Sequence, residues 1–159
     1  MTKLFTKIGV YIWKIERFSQ LKSAAETGER ISITSDPFYT KEFGYQMSMK
    51  IYPALVGVGI GTHLSVFFTL MKGEFDDLLT WPFKQKVIFT ILDQINKTAD
   101  HSYIFGSYLR VQCCHEPTID DNIASGDPMF ISFDQIYCGY IKNDTIFLKI
   151  EVCELDNIY

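Results

Sequence analysis

The sequence predicts an all-β domain, an antiparallel sandwich of two sheets. Aromatic residues make up 15% of its 159 residues, and aromatic side chains are favoured on the pleated, half-buried surface of a sheet. No segment has the 3.6-residue hydrophobic period of a long helix, whereas several short segments alternate between apolar and polar residues. Turn residues recur between these segments at the spacing typical of a sandwich.

The strand signals lie in residues 10–15, 45–52, 64–71, 86–92 and 145–152. The clearest strand is 45–52, where apolar residues occupy every second position from Tyr45 to Ile51 and mostly polar residues the positions between. Residues 51–71 contain no Asp, Glu, Lys or Arg and are long enough to cross a bilayer. They include Gly57, Gly59 and Gly61 and then alternate, so we interpret them as a hairpin rather than a membrane helix.

The remaining segments give weaker signals. Residues 18–30 are polar and are expected to be irregular, and residues 93–128 are the least regular part of the chain. Ser132 precedes Gln135 by three positions, a capping-box pattern that predicts one short helical turn. Residues 86–92 are apolar on both faces, which is typical of a central strand.

Charge and composition exclude several classes of partner. The 15 basic and 19 acidic residues give a net charge of −4, and the basic residues form no stripe that would bind nucleic acid. The first eight residues lack the apolar core of a secretory signal, so we expect a reducing, cytoplasmic environment and no membrane insertion. The four cysteines, at positions 113, 114, 138 and 153, are then expected to be free thiols.

Candidate catalytic groups are few. Cys113, Cys114 and His115 are adjacent, and neighbours on an extended chain point to opposite sides, so a nucleophile and its base rarely meet in this arrangement. The cysteines and histidines lack the tight spacings of a zinc site. Asp76-Asp77 and Asp120-Asp121 lie in turns, where carboxylates are usually solvated. We therefore predict no enzyme activity, no metal and no cofactor.

The polar face of strand 45–52 is a candidate recognition surface. Lys50 and Tyr52 are two residues apart, so a cation lies beside an aromatic ring with a hydrogen-bonding tip. Such a pair suits a peptide that carries acceptors and an acidic group. An ordinary solvated sheet face remains an open alternative.

Ordered blocks along nearly the whole chain resemble the C-terminal TRAF (MATH) domain of tumour necrosis factor receptor-associated factors. The matching blocks are residues 11–15 and 18, 37–40, 43–45, 61–65, 67–68, 71–74, 81–87, 92–94, 122–126 and 140–147. The resemblance implies an eight-stranded antiparallel sandwich that trimerises below a coiled coil. It also implies binding of short extended peptides from receptor tails or intracellular adaptors, by strand-like docking.

The resemblance assigns the peptide groove residue by residue. It implies that the groove uses Lys50 and Tyr52, Phe105, the run Val111-Gln112-Cys113, and Ser125-Gly126.

Departures from the family pattern predict a changed peptide preference. Lys50 replaces the usual arginine and loses its bidentate fork, and Val56 replaces a common acidic residue. The run Val111-Gln112-Cys113 replaces three serines that would grip a glutamine side chain. We therefore expect the glutamine-centred motif of many family members to bind weakly, and we expect Asp127 to favour a basic peptide residue.

The expected domain is residues 9–159, with residues 1–8 as the end of a coiled-coil stalk. Three alternatives stay open at this point. One is a substrate-recruiting MATH domain of a ubiquitin-pathway protein, which would read serine-rich peptides. The others are a carbohydrate-binding sandwich and a Cys/His hydrolase.

Overall fold

Two antiparallel β-sheets pack face to face in the structure, a computed structural model that describes residues 9–54, 61–106 and 114–153. The strands in these ranges are β1 (Gly9–Ile15), β2 (Ile33–Thr34), β3 (Phe38–Tyr39), β4 (Gln46–Tyr52), β5 (His63–Met71), β6 (Lys86–Ile91), β7 (His101–Gly106), β8 (Ser125–Ser132) and β9 (Ile146–Cys153). The helical segments are α1 (Phe18–Glu26), α2 (Phe133–Gln135), a 3-10 turn (Asp76–Leu78) and a π-helical turn (Ile136–Tyr140).

The first sheet has the order β1-β9-β6-β7, and the second has the order β2-β4-β5-β8 with β3 also paired to β4. This arrangement confirms the predicted all-β sandwich. The described residues contain nine strands rather than eight, because β2 and β3 are short pieces that pair with successive parts of β4. The predicted hairpin is β4 and β5, and β6 is central because it pairs with both β7 and β9. None of the helices in the described ranges has both the length and the apolar composition needed to cross a bilayer.

The core lies between the sheets and follows the alternation of the strands. Fully buried apolar side chains come from β4, β5, β6 and β9; they include Met47, Met49, Ile51, Leu64, Val66, Phe68, Leu70, Val87, Phe89, Ile91, Ile146, Leu148, Ile150 and Val152. The alternation in β4 therefore turns Gln46, Ser48, Lys50 and Tyr52 to the outer face of the second sheet.

The expectation that residues 18–30 are irregular is wrong, because residues 18–26 form α1. Arg17 at the N-cap has φ 54° and its side chain makes no capping bond. Asp144 caps the helix instead: its carbonyl accepts the Phe18 N–H at 2.9 Å, and its carboxylate accepts the N–H and hydroxyl of Ser19 at 3.0 and 2.6 Å. This cap comes from 125 residues away, so no local pattern indicates it.

Residues 93–128 are also more regular than expected, since they contain β7 and the start of β8. In the described part of the chain, these two strands are end strands of different sheets. His101 Nε2 and the Phe130 carbonyl oxygen, 2.7 Å apart, join them. The capping box at the end of β8 is confirmed, because the Ser132 and Gln135 side chains each bond the other's backbone N–H.

Asp93 organises the loop between β6 and β7. Its carboxylate accepts backbone N–H groups from Ile95, Asn96, Thr98 and Ala99 at 2.9–3.3 Å. The Asn96 N–H is the largest cause of a lowered Asp93 pKa; burial opposes it, and the other three N–H groups lower the pKa further. The bonds to the ionised form are what stabilise the folded loop.

We predict that this loop makes stability fall at acid pH. Because the folded-state pKa lies below the unfolded value of about 3.9, the contribution of Asp93 is present above that value and is lost as pH falls through the folded pKa. Asp93→Asn should lower the free energy of unfolding at pH 7 and flatten the decline of this free energy as pH falls below about 4. Urea denaturation measures both, with Asp77→Asn at an exposed carboxylate as the control. Identical pH profiles for wild type and Asp93→Asn would contradict the prediction.

Candidate functional site

The register of three strands places Lys50, Phe67 and Gly126 in one row across the outer face of the second sheet. Lys50 on β4 is the partner of Phe67 on β5, and Phe67 is the partner of Gly126 on β8. Directly paired residues of an antiparallel sheet share a face. The buried Phe68, next in sequence, points into the core, so the Phe67 ring points outward and is half-buried.

The side chains around Lys50 form a mixed cationic and aromatic cluster. The Lys50 ammonium lies 6.0 Å from the centre of the Tyr52 ring. The Tyr52 and Phe67 rings meet edge to face with centroids 5.7 Å apart. Among the described residues, no carboxylate lies within salt-bridge distance of Lys50. This half-buried cation therefore has its charge available to an external anionic group.

Phe105 lies where the two sheets meet along their β7 and β8 edges. It pairs with the buried Val87, so it is on the face of β7 that turns toward the second sheet. Its ring contacts that of the buried Phe68 edge to face, with centroids 5.2 Å apart. Phe68 is the chain neighbour of Phe67. Phe105 is thus joined to the Lys50 row through the β5 backbone and is itself half-buried.

The start of β8 lies between these two groups. Ser125, Gly126 and Asp127 are all half-buried and pair with Phe68, Phe67 and Val66. A Cβ at position 126 would overlap the Val66 carbonyl oxygen and stand 2.7 Å from Phe67 Cα. Only glycine permits this approach of β8 to β5. The pairing shifts at a β-bulge between Leu64 and Val66, a device that redirects nearby side chains.

Asp127 on β8 and Tyr103 on β7 both point inward where these two strands adjoin. Burial, and then the negative charge of Asp127, raise the pKa of the Tyr103 hydroxyl. Tyr103 is two residues from Phe105 on the same face of β7, and its ring stacks against the buried Phe89 with centroids 6.4 Å apart. The Asp127 Oδ1 accepts the Met129 N–H at 3.0 Å.

The predicted site residues are therefore distributed over two adjoining surfaces. Lys50 and Tyr52 lie on the outer sheet face, Phe105 and Asp127 lie where β7 and β8 adjoin, and Ser125-Gly126 lies between them. The predicted run Val111-Gln112-Cys113 and the substituted position Val56 are outside the described residues.

The sequence reasoning missed Phe67 and Tyr103 as site residues. The alternation of β5 could have identified Phe67. The buried side chains of this strand include Leu64, Val66, Phe68 and Leu70, so the Phe67 side chain faces outward. Its place between Lys50 and Gly126 depends on strand register. No sequence signal indicates Tyr103, because no strand is predicted between residues 93 and 128.

The candidate catalytic groups that the structure describes do not assemble. Cys114 is fully buried in the core, whereas the neighbouring His115 is exposed, so these two side chains point apart. Cys113 is outside the described residues. His63 Nδ1 lies 2.8 Å from the Thr62 hydroxyl. The part of the chain that the structure describes holds no group of three His, Cys, Asp or Glu side chains able to bind a metal.

We predict that Gly126→Ala destabilises the fold by about 1–3 kcal/mol, the usual cost of overpacking, because its methyl group would collide with the backbone of β5. Gly139→Ala is a matched control: no atom lies within 4 Å of its added Cβ, so its effect should stay within about 0.5 kcal/mol. Urea unfolding of both variants measures the difference. Equal stability of the two would contradict the close approach of β8 to β5.

Comparisons with known proteins agree with this architecture. The TRAF/meprin MATH domain family matches residues 30–149. TNF receptor-associated factor 2 of Homo sapiens is 42% identical over 144 residues, which cover 89% of this chain and 28% of that protein. TNF receptor-associated factor 5 of Mus musculus is 40% identical over 147 residues, covering 91% of this chain and 26% of that protein.

A solved structure of TRAF5 from Notothenia coriiceps superposes with a TM-score of 0.90 at 35% identity, covering 96% of this chain and 77% of that chain. The chain spans about a quarter to a third of the curated relatives it matches. MATH domains of this family are protein-interaction domains and not catalytic ones. By sequence and by fold, the chain belongs to the TRAF/meprin MATH domain family.

Proposed function

We propose that this domain is a cytoplasmic signalling adaptor module that binds short extended peptides from receptor tails or intracellular adaptors. The observation that carries the proposal is the row of Lys50, Phe67 and Gly126, in which a cation without a carboxylate partner among the described residues adjoins an outward aromatic ring. A cation and flat rings suit a peptide with one acidic group and one apolar side chain. The names of the relatives, TNF receptor-associated factors, point to receptor tails of that class.

Strand-like docking is supported by the sheet order. Both β7 and β8 are end strands, so each has one edge without a neighbouring strand among the described residues. An extended segment gains affinity from backbone hydrogen bonds to such an edge, and specificity from its alternate side chains. Here those side chains would meet Phe105 on one side of the edge and the Lys50 row on the other.

Peptide preference is expected to differ from the glutamine-centred motif. The available side chains are one cation, three aromatic rings and a serine: Lys50, Tyr52, Phe67, Phe105 and Ser125. Apart from the Ser125 and Tyr52 hydroxyls, this set has few neutral donors for a side-chain amide. The contribution of Val111-Gln112-Cys113 stays a prediction.

A second surface supports the proposed homotrimer. Tyr39, Phe43 and Phe75 form an edge-to-face aromatic cluster, with centroids 5.7 Å apart for Tyr39 and Phe75 and 5.1 Å for Phe43 and Phe75. Phe43 is 57% exposed and Leu78, from the adjoining turn, is 78% exposed. Exposed apolar groups gathered in this way are typical of a contact surface.

We predict that Phe67→Ala and Lys50→Gln each weaken binding of peptides selected from an array, Phe67→Ala by about tenfold, as expected for an aromatic anchor. Phe147→Ala and Lys142→Gln are matched controls at a half-buried Phe of the other sheet and at an exposed Lys. Titration calorimetry with the selected peptides gives the affinities. Equal losses in the site and control variants would reject the proposed groove, and selection of serine-rich peptides would favour the ubiquitin-pathway alternative.

We also predict that Phe43→Asn weakens self-association without destabilising the monomer. Phe43 has φ 63°, a left-handed conformation that Asn tolerates better than Phe, so only the exposed ring is lost. Ile95→Asn, at a 52% exposed loop residue, is the control. Light scattering over a dilution series measures the mass. A wild type that stays monomeric at the highest concentration would refute the trimer.

A further inference from the structure

The place where β7 and β8 adjoin carries a charge opposite to that of the Lys50 row. The side chains of Tyr103 and Phe105 both lie on the face of β7 that turns toward the second sheet, since their strand partners Phe89 and Val87 are buried. Asp127 on β8 pairs with Val66, whose side chain is in the core. Asp127 is therefore on the inward side of its strand, the side toward which Tyr103 and Phe105 also point.

The Asp127 carboxylate lacks a basic partner in the part of the chain that the structure describes. Its one hydrogen bond there is from the Met129 N–H to Oδ1 at 3.0 Å, and no lysine, arginine or histidine lies within salt-bridge distance. Two effects raise the pKa of Tyr103. Burial is the larger, and the negative charge of Asp127 is the second. A half-buried carboxylate on the same side as aromatic rings, with no counter-ion among the described residues, is an attractive place for a cation.

We propose that Tyr103 and Asp127 form a cation subsite of the peptide groove, which takes the side chain of a lysine or arginine in the bound peptide. The inference rests on the proposed function and adds the peptide class to it. The charged end of the peptide side chain pairs with Asp127. Its aliphatic stem lies along the rings of Tyr103 and Phe105, whose faces also attract the cation.

The two ends of the groove then bind peptide side chains of opposite charge. Lys50 selects an acidic group at the outer sheet face, and Asp127 selects a basic one at the edge, with Gly126 between them. A peptide with both charges binds in a single direction, because the reversed peptide would place like charges together. The recognised class is therefore an extended peptide with an acidic and a basic residue on either side of an apolar one.

The test is a positional-scanning library of acetylated, amidated decapeptides, bound in parallel to wild type and to Asp127→Asn, Asp127→Lys, Tyr103→Leu and Lys50→Gln. Asn keeps the acceptor for the Met129 N–H and removes only the charge. Wild type should enrich lysine or arginine at one position. Asp127→Asn should reduce that enrichment about two- to fivefold, the range of a partly exposed ion pair, and leave the acidic position unchanged. Tyr103→Leu should weaken the same position.

The charge reversal separates recognition from a structural role. Asp127→Lys should invert the preference at that position from basic to acidic, which simple destabilisation cannot do. Lys50→Gln should relax the acidic position and leave the basic one in place. Thermal melts of each variant establish that it is folded.

The outcomes also separate this subsite from the proposed function. One possible result is that peptides bind through Lys50 and Phe67 without enrichment of basic residues, and another is a basic enrichment that Asp127→Asn and Asp127→Lys leave unchanged. Either result refutes the cation subsite and leaves the proposed peptide binding in place. A double variant, Lys50→Gln with Phe67→Ala, is measured beside wild type. If both bind every decapeptide equally, the proposed peptide binding and the cation subsite both fail.

Discussion

The antiparallel register of β4, β5 and β8 is the constraint on which the candidate site depends. Register determines both which residues are opposite one another and which face each side chain takes, and a slip of one residue would reverse every face. Here the buried set of β4 and β5 fills the core. The same alternation leaves Lys50 opposite Phe67, and Phe67 opposite Gly126, on the outer face. The hydrophobic pattern that folds the domain therefore also builds the candidate recognition surface.

The close approach of β8 to β5 adds Gly126 and Asp127 to the candidate site. Gly126 admits the β5 backbone where any Cβ would collide with it, and the bulge between Leu64 and Val66 breaks the regular pairing nearby. Asp127 is thereby brought to the inner side of an end strand rather than to the solvent face. Among the described strands, β7 ends one sheet and β8 ends the other, and the two contact each other here.

Lys50 and Asp127 differ from the charged residues that form ion pairs in the described part of the chain. Lys14–Glu16, Lys22–Glu26 and Lys149–Glu151 each pair locally, at 3.7, 2.8 and 3.6 Å. Lys50 and Asp127 have no such partner among the described residues. In the proposed function, these two charges are available to the oppositely charged groups of a bound peptide.

Local sequence pattern determined the fold class, the β4–β5 hairpin, the central place of β6 and the capping box at Ser132. All of these depend on alternation or on contacts within a few residues. The start of α1 depends on Asp144, and the place of Tyr103 depends on a strand held by its neighbours, so both required the tertiary structure. For the site, the sequence alone supplied Lys50 and Tyr52 as an adjacent pair on one strand face. The tertiary structure added Phe67 and set Asp127 beside Tyr103, because contacts between strands distant in the chain are decided by register and sheet packing, which no local periodicity encodes.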